Sequence, residues 1–255
     1  MNRLQSELQR LYLVSPTDGS GDGGLVGAAG EVRAMVMELA RPADWEPLST
    51  VWRGVQAELR LPAPAIAVSG SDGLQLWFSL QQPVAAHRAA AFLAQLRSRY
   101  LAGVAPARLR LLPSPTEPIA HAALVPAEQD ASGNWSAFVA PDLAPVFADT
   151  PWLDIPPGIE GQADLLARLE SIKPEAFEAA LQALPTGAAK AAEAAPPSPR
   201  GAGPAHRGRE GAAAARRARR LSPHAPTQRR TGLSSARPVR TCACRPAAHA
   251  PRPQA

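Results

Sequence analysis

Glu38, Gln75, Trp77, Arg108 and Arg110 are the residues of this sequence whose types suit the handling of a polar, flat or anionic molecule. An indole stacks on a π-face, and a guanidinium pairs fork-wise with phosphate or carboxylate. A carboxylate and an amide read hydroxyls and ring edges. One surface carrying all five would suit a nucleotide or single-stranded nucleic acid. No two of them are neighbours in sequence, so secondary structure has to bring them to one face.

Alternation supplies that face. Between Gly73 and Leu80, Leu74, Leu76, Phe78 and Leu80 point one way, and Gly73, Gln75, Trp77 and Ser79 the other. Ala65–Val68 is a second apolar run. The two are separated by Ser69-Gly70-Ser71-Asp72-Gly73, whose Asp-Gly predicts a hairpin loop with its φ > 0 residue there. Glu31 to Leu39 reads as a strand with Met35, Met37 and Leu39 on one side and Val36 and Glu38 on the other. Ala107 to Leu112 reads as a further strand that places Arg108 and Arg110 together, ended by Pro113.

Helices lie between these strands. Asp44 is placed to cap a helix with the apolar stripe Leu48, Val51, Trp52, Val55 and Leu59, and a second helix follows Gln82-Pro83 to about Leu101. The order is strand, helix, strand, strand, helix, strand. That predicts an α+β, ferredoxin-like (βαββαβ) antiparallel sheet with both helices on one face. The other face would be open and carry Glu38, Gln75, Trp77, Arg108 and Arg110. The alternative makes Trp77 core beneath Ile119 to Ala140 and the two arginines a solvated edge.

Upstream, Asn2 can cap a helix with Leu4, Leu8, Leu11 and Tyr12, and Ser15 to Gly30 is a glycine-rich linker. It lacks the lysine and the following helix of a phosphate-binding loop. Downstream, Ile119–Val125 and Trp135–Ala140 predict an added hairpin at one sheet edge, and helices are expected at about Gln162 to Ile172 and Pro174 to Leu184.

Composition changes sharply after that point. Residues 186–255 hold 14 Lys and Arg against 2 Asp and Glu, a net of +12, and no Phe, Trp, Tyr, Ile or Met. Residues 1–185 have 13 basic and 20 acidic residues, a net of −7. The expected organisation is an N-terminal helix and linker over 1–30, an α+β domain over 31–185, and a disordered tail over 186–255. That tail is either a basic arm that binds phosphates or the product of a shifted reading frame in GC-rich DNA. Its Cys242 and Cys244 have only His249 nearby, short of a four-ligand zinc site. Arg3, Glu7 and Arg10 interrupt any leader-like apolar run, and no 18 apolar residues run together, so a cytoplasmic protein with no membrane partner is expected.

Hydrolase chemistry is not supported. Ser69 or Ser71 with His87 or His121 could be imagined as a triad, but Gly70-Ser71-Asp72-Gly73 joins two strands and is one residue short of a nucleophile elbow.

Three segments carry a family resemblance: Val36-Met37-Glu38-Leu39-Ala40-Arg41-Pro42-Ala43-Asp44-Trp45, Pro62 to Gly70, and Gly73-Leu74-Gln75-Leu76-Trp77-Phe78-Ser79-Leu80-Gln81-Gln82-Pro83-Val84. Together, over about residues 31–112, they resemble the palm of the archaeo-eukaryotic primase superfamily. The resemblance implies nucleotide handling and two divalent metals held by acids on the first and a later strand. Here Glu38 stands at the first acidic position, Ala40 at the second, and Gln75 where the family has a nucleotide-contacting His. Arg108-Leu109-Arg110-Leu111 offers no third carboxylate. One Glu does not organise two magnesium ions. The expectation is a non-catalytic domain without metal or cofactor that binds a nucleotide or single-stranded nucleic acid. The alternative is a structural or protein-interaction module.

Overall fold

Largely apolar runs form the sheet, with interruptions at Arg33 and from Gln81 to Pro83. A computed structural model describes residues 2–15 and 23–184, all within the first of two units, Met1–Pro199 and Arg200–Ala255. The expectations for the tail over 186–255, for Cys242 and Cys244, and for residues 16–22 of the glycine-rich segment concern positions outside this range. The elements are α1 (Arg3–Leu11), β1 (Glu31–Ala40), α2 (Trp45–Ala57), β2 (Ala65–Val68), β3 (Gly73–Ala85), α3 (Ala86–Tyr100), β4 (Leu109–Leu112), β5 (Ala137–Val139), α4 (Ile159–Ala167) and α5 (Pro174–Ala183).

The strands form one antiparallel sheet in the order β4-β1-β3-β2-β5. Its first four strands, with α2 and α3, are the βαββαβ arrangement that element order predicts. On one face Met35, Met37, Leu39, Leu74, Leu76, Phe78 and Leu80 pack with Leu48, Val51, Val55, Phe92, Leu93 and Leu96 of α2 and α3. Phe177 of α5 joins this layer, 5.2 Å from Phe92 between ring centroids. Burial of these side chains is the main stabilising term of the fold.

The second face is also covered. Leu4, Leu8 and Leu11 of α1, Tyr12, Val125, and Ala163 and Leu166 of α4 pack over Ala34, Val36, Ala67, Trp77 and Phe138. The Asn2 side chain caps α1 by accepting from the Gln5 N–H at 2.8 Å, and the Gln5 side chain accepts from the Asn2 N–H at 2.9 Å. The exit of α1 is held by Arg33, which lies where the β1–β3 register shifts between Val32 and Ala34. Its guanidinium donates to the carbonyls of Gln9, Arg10, Leu13 and Leu80 at 2.7–3.3 Å. Those first three carbonyls lie at or just past the helix end, where no intrahelical donors remain.

Several local expectations are corrected. Pro106–Arg108 is a 3-10 turn, so the last strand starts at Leu109 and Arg108 leaves the sheet. Ile119–Val125 and Trp135–Ala140 do not pair as a hairpin; the second supplies β5, which pairs with β2, and the first crosses the sheet without forming a strand. Asp44 sits at the N-cap of α2 without a side-chain cap hydrogen bond. β3 runs past Pro83 to Ala85, because Pro83 lies in the stretch between Ser79 and Val84 that has no partner on β1, so no ladder N–H is needed there. α4 starts three residues earlier than expected and ends at Ala167.

Candidate functional site

Three of the five singled-out residues form one rung of the sheet. In register, Arg110 of β4 faces Glu38 of β1, and Glu38 faces Gln75 of β3. All three side chains leave the face away from α2 and α3. Arg110 Nη1 donates to Glu38 Oε1 at 3.1 Å, and Gln75 Nε2 donates to Glu38 Oε2 at 2.6 Å. The Trp77 Nε1–H donates to Gln75 Oε1 at 2.8 Å. A buried carboxylate is therefore held by two donors, and the amide beneath it is oriented by the indole.

Trp77 does not belong to an open surface. It is fully buried, with Tyr12 and Phe138 at 5.3 and 6.0 Å between ring centroids. The indole is core, as the alternative had it, though the cover comes from α1 and β5 as well as from residues near 125. A base cannot stack on it. Arg108 is turned off the sheet to the carbonyls of Ala40 and Pro42, so it serves the turn after β1 and not the rung.

Over the rung lies a polar pocket of about 200 Å³, lined by Glu38, Gln75 and Arg110 with Ser69, Ser71, His121, Gln129 and Ser136. Arg110 forms its rim: its side chain is 64% exposed against 4% for Glu38. The hairpin loop forms one wall. Ser69 Oγ accepts the N–H groups of Ser71, Asp72 and Gly73 at 2.9–3.2 Å. The φ > 0 residue of this loop is Gly70, at +80°, and not Gly73. Gly73 is needed for space, because a Cβ there would meet Glu38 Cγ at 2.8 Å and the Leu39 carbonyl at 3.0 Å.

His121 closes another wall. Its Nδ1 accepts the Ala122 N–H at 2.9 Å and its Nε2–H donates to the Ala34 carbonyl at 3.1 Å, which defines the neutral tautomer. Burial holds its pKa below the ordinary histidine value. With both ring nitrogens engaged by backbone, His121 has no site to take a proton from Ser69 or Ser71, so sharing a pocket does not make these residues a triad. His121, Gln129 and Ser136 reach the site from an irregular segment. Sequence offered no periodic signal for their convergence.

The two divalent ions implied by the primase resemblance do not fit these residues. Both Glu38 oxygens are already paired, Ala40 contributes no ligand, and among the described residues no three His, Cys, Asp or Glu side chains converge. Among the same residues no helix is long and apolar enough to cross a membrane.

No family model matches the chain, and no curated protein matches it. Among solved structures it is similar to the polymerase domain from Mycobacterium tuberculosis Ligase D in complex with DNA, at 19% identity and a TM-score of 0.34. The similarity covers 62% of this chain and 58% of that one, so the chain spans little more than half of that domain's length.

Proposed function

We propose that this chain is a cytoplasmic, non-catalytic nucleotide- or nucleic-acid-binding domain, a primase-like palm that has lost its metal-binding acids. The observation that carries the proposal is the Arg110–Glu38–Gln75 rung at the floor and rim of a polar pocket. Only Nη1 of Arg110 is hydrogen-bonded to Glu38, and the rest of the mostly exposed guanidinium faces solvent with its donors available for a phosphate. Ser69, Ser71 and Gln129 add hydroxyl and amide partners for a sugar or a base edge. A pocket of about 200 Å³ takes one polar moiety, so a nucleotide or strand end enters by one group with the remainder outside. Calorimetric titration of mononucleotides and short single-stranded oligonucleotides tests this. Arg110→Gln is expected to weaken binding about tenfold, as loss of a charge-assisted hydrogen bond does. A folded parent that binds none of them at about millimolar concentration ends the proposal.

A second reading, a structural or protein-interaction module, is favoured by the closure of the sheet's second face over Trp77. In that case Arg110→Gln changes the melting temperature and there is no nucleotide binding to lose.

A further inference from the structure

A second pocket, remote in character from the polar one, lies at the β2–β5 edge, where Trp52 of α2 faces Leu165, Leu166 and Leu169 at the end of α4. It measures about 180 Å³, and its remaining walls are Ala63 to Ile66 and Phe138 to Pro141. Several of the polar groups at these walls are already engaged. Trp52 Nε1–H donates to the Pro64 carbonyl at 3.1 Å. The Gln162 side chain occupies the open edge of β5, accepting the Phe138 N–H at 2.7 Å and donating to the Phe138 carbonyl at 2.9 Å. The Leu166 and Leu169 carbonyls, which would otherwise present negative charge, accept from Arg10 at 3.0 and 3.1 Å.

What remains is hydrocarbon surface with one charge. Arg168 is the sole charged residue of the lining, and among the described residues no carboxylate pairs with it. A cavity of about 150 Å³ accommodates a benzene ring, so this pocket has room for a ring or a short branched chain. We propose that it binds a small apolar monocarboxylate, with the hydrocarbon against Trp52, Ile66 and Leu165 and the carboxylate paired to Arg168 at the rim. Charge selects the anion, and the largely hydrocarbon walls, with the Trp52 N–H already engaged, disfavour sugars and nucleotides. The proposal does not depend on the nucleotide site.

The probe is phenylacetate, with phenylacetamide as its neutral isostere, titrated into the full chain while the Trp52 indole N–H is followed by NMR. Phenylacetate should bind saturably at millimolar concentration or below, and phenylacetamide about tenfold more weakly. Arg168→Gln, at an exposed position, should erase that difference. Ala63→Phe or Ala140→Leu should abolish binding by filling the space, whichever of the two keeps the parent's melting temperature, while Arg110→Gln leaves it intact. Equal binding of acid and amide, binding that survives filling, or no saturable shift up to about 10 mM would overturn the proposal.

Discussion

Glu38 and Arg110 stand directly opposite each other across the β1–β4 ladder, 3.1 Å apart, with the carboxylate buried and the guanidinium mostly in water. The pair is unequal in what each partner loses. Arg110 without Glu38 is solvated, whereas Glu38 without Arg110 is a buried charge held only by Gln75.

Arg110→Ala is therefore expected to destabilise by about 1–3 kcal/mol, more than the 0–1 kcal/mol typical of an exposed ion pair. Adding Glu38→Gln should recover part of that loss by removing the stranded charge. Chemical denaturation of the two singles and the double, read as a cycle, checks it; simple additivity would show that the pair is not coupled.

Trp77→Ala should cost on the order of 3–5 kcal/mol, the value for emptying a packed aromatic site. Trp77→Phe keeps most of the contact with Tyr12 and Phe138 but leaves Gln75 Oε1 without its donor, and should cost about 1–3 kcal/mol. A thermal melt of either variant that matches the parent would place the indole outside the core.

His121 makes stability depend on pH with a definite sign. Its folded pKa lies below its unfolded value near 6.5, so the unfolded chain binds the extra proton first and stability falls as pH drops below about 6.5, until the folded pKa is passed. Glu38 and Arg110 share its pocket, so the comparison is with His121→Gln, which should flatten the difference between melts taken at about pH 7.5 and pH 5. A parent and variant that lose stability in parallel would exclude His121 as the titrating group.

Gly73→Ala should destabilise by about 1–3 kcal/mol, because the new methyl group meets both the Glu38 side chain and the Leu39 backbone. The same substitution should move the Gln75 side-chain amide resonances by shifting Glu38. Unchanged amide positions in an otherwise folded variant would contradict the close approach.

Alternation and element order alone determined the βαββαβ sheet, its helix-covered face, and the placement of Glu38, Gln75 and Trp77 on the other side. These features are local, set by a period of two along each strand and by loop lengths between elements. The Asn2 cap of α1 was legible for the same reason. Whether that other face was open was not, because its cover comes from α1, the stretch before Val125 and α4, which lie far apart in sequence and dock only by burying Trp77 and Val36. The register that sets Arg110 opposite Glu38 and the 3-10 turn that removes Arg108 depend on how β4 meets β1. A shift of one residue in that pairing would have exchanged the two faces. Only the packed structure decides such pairings, since each depends on contacts between segments that have no local signal for one another.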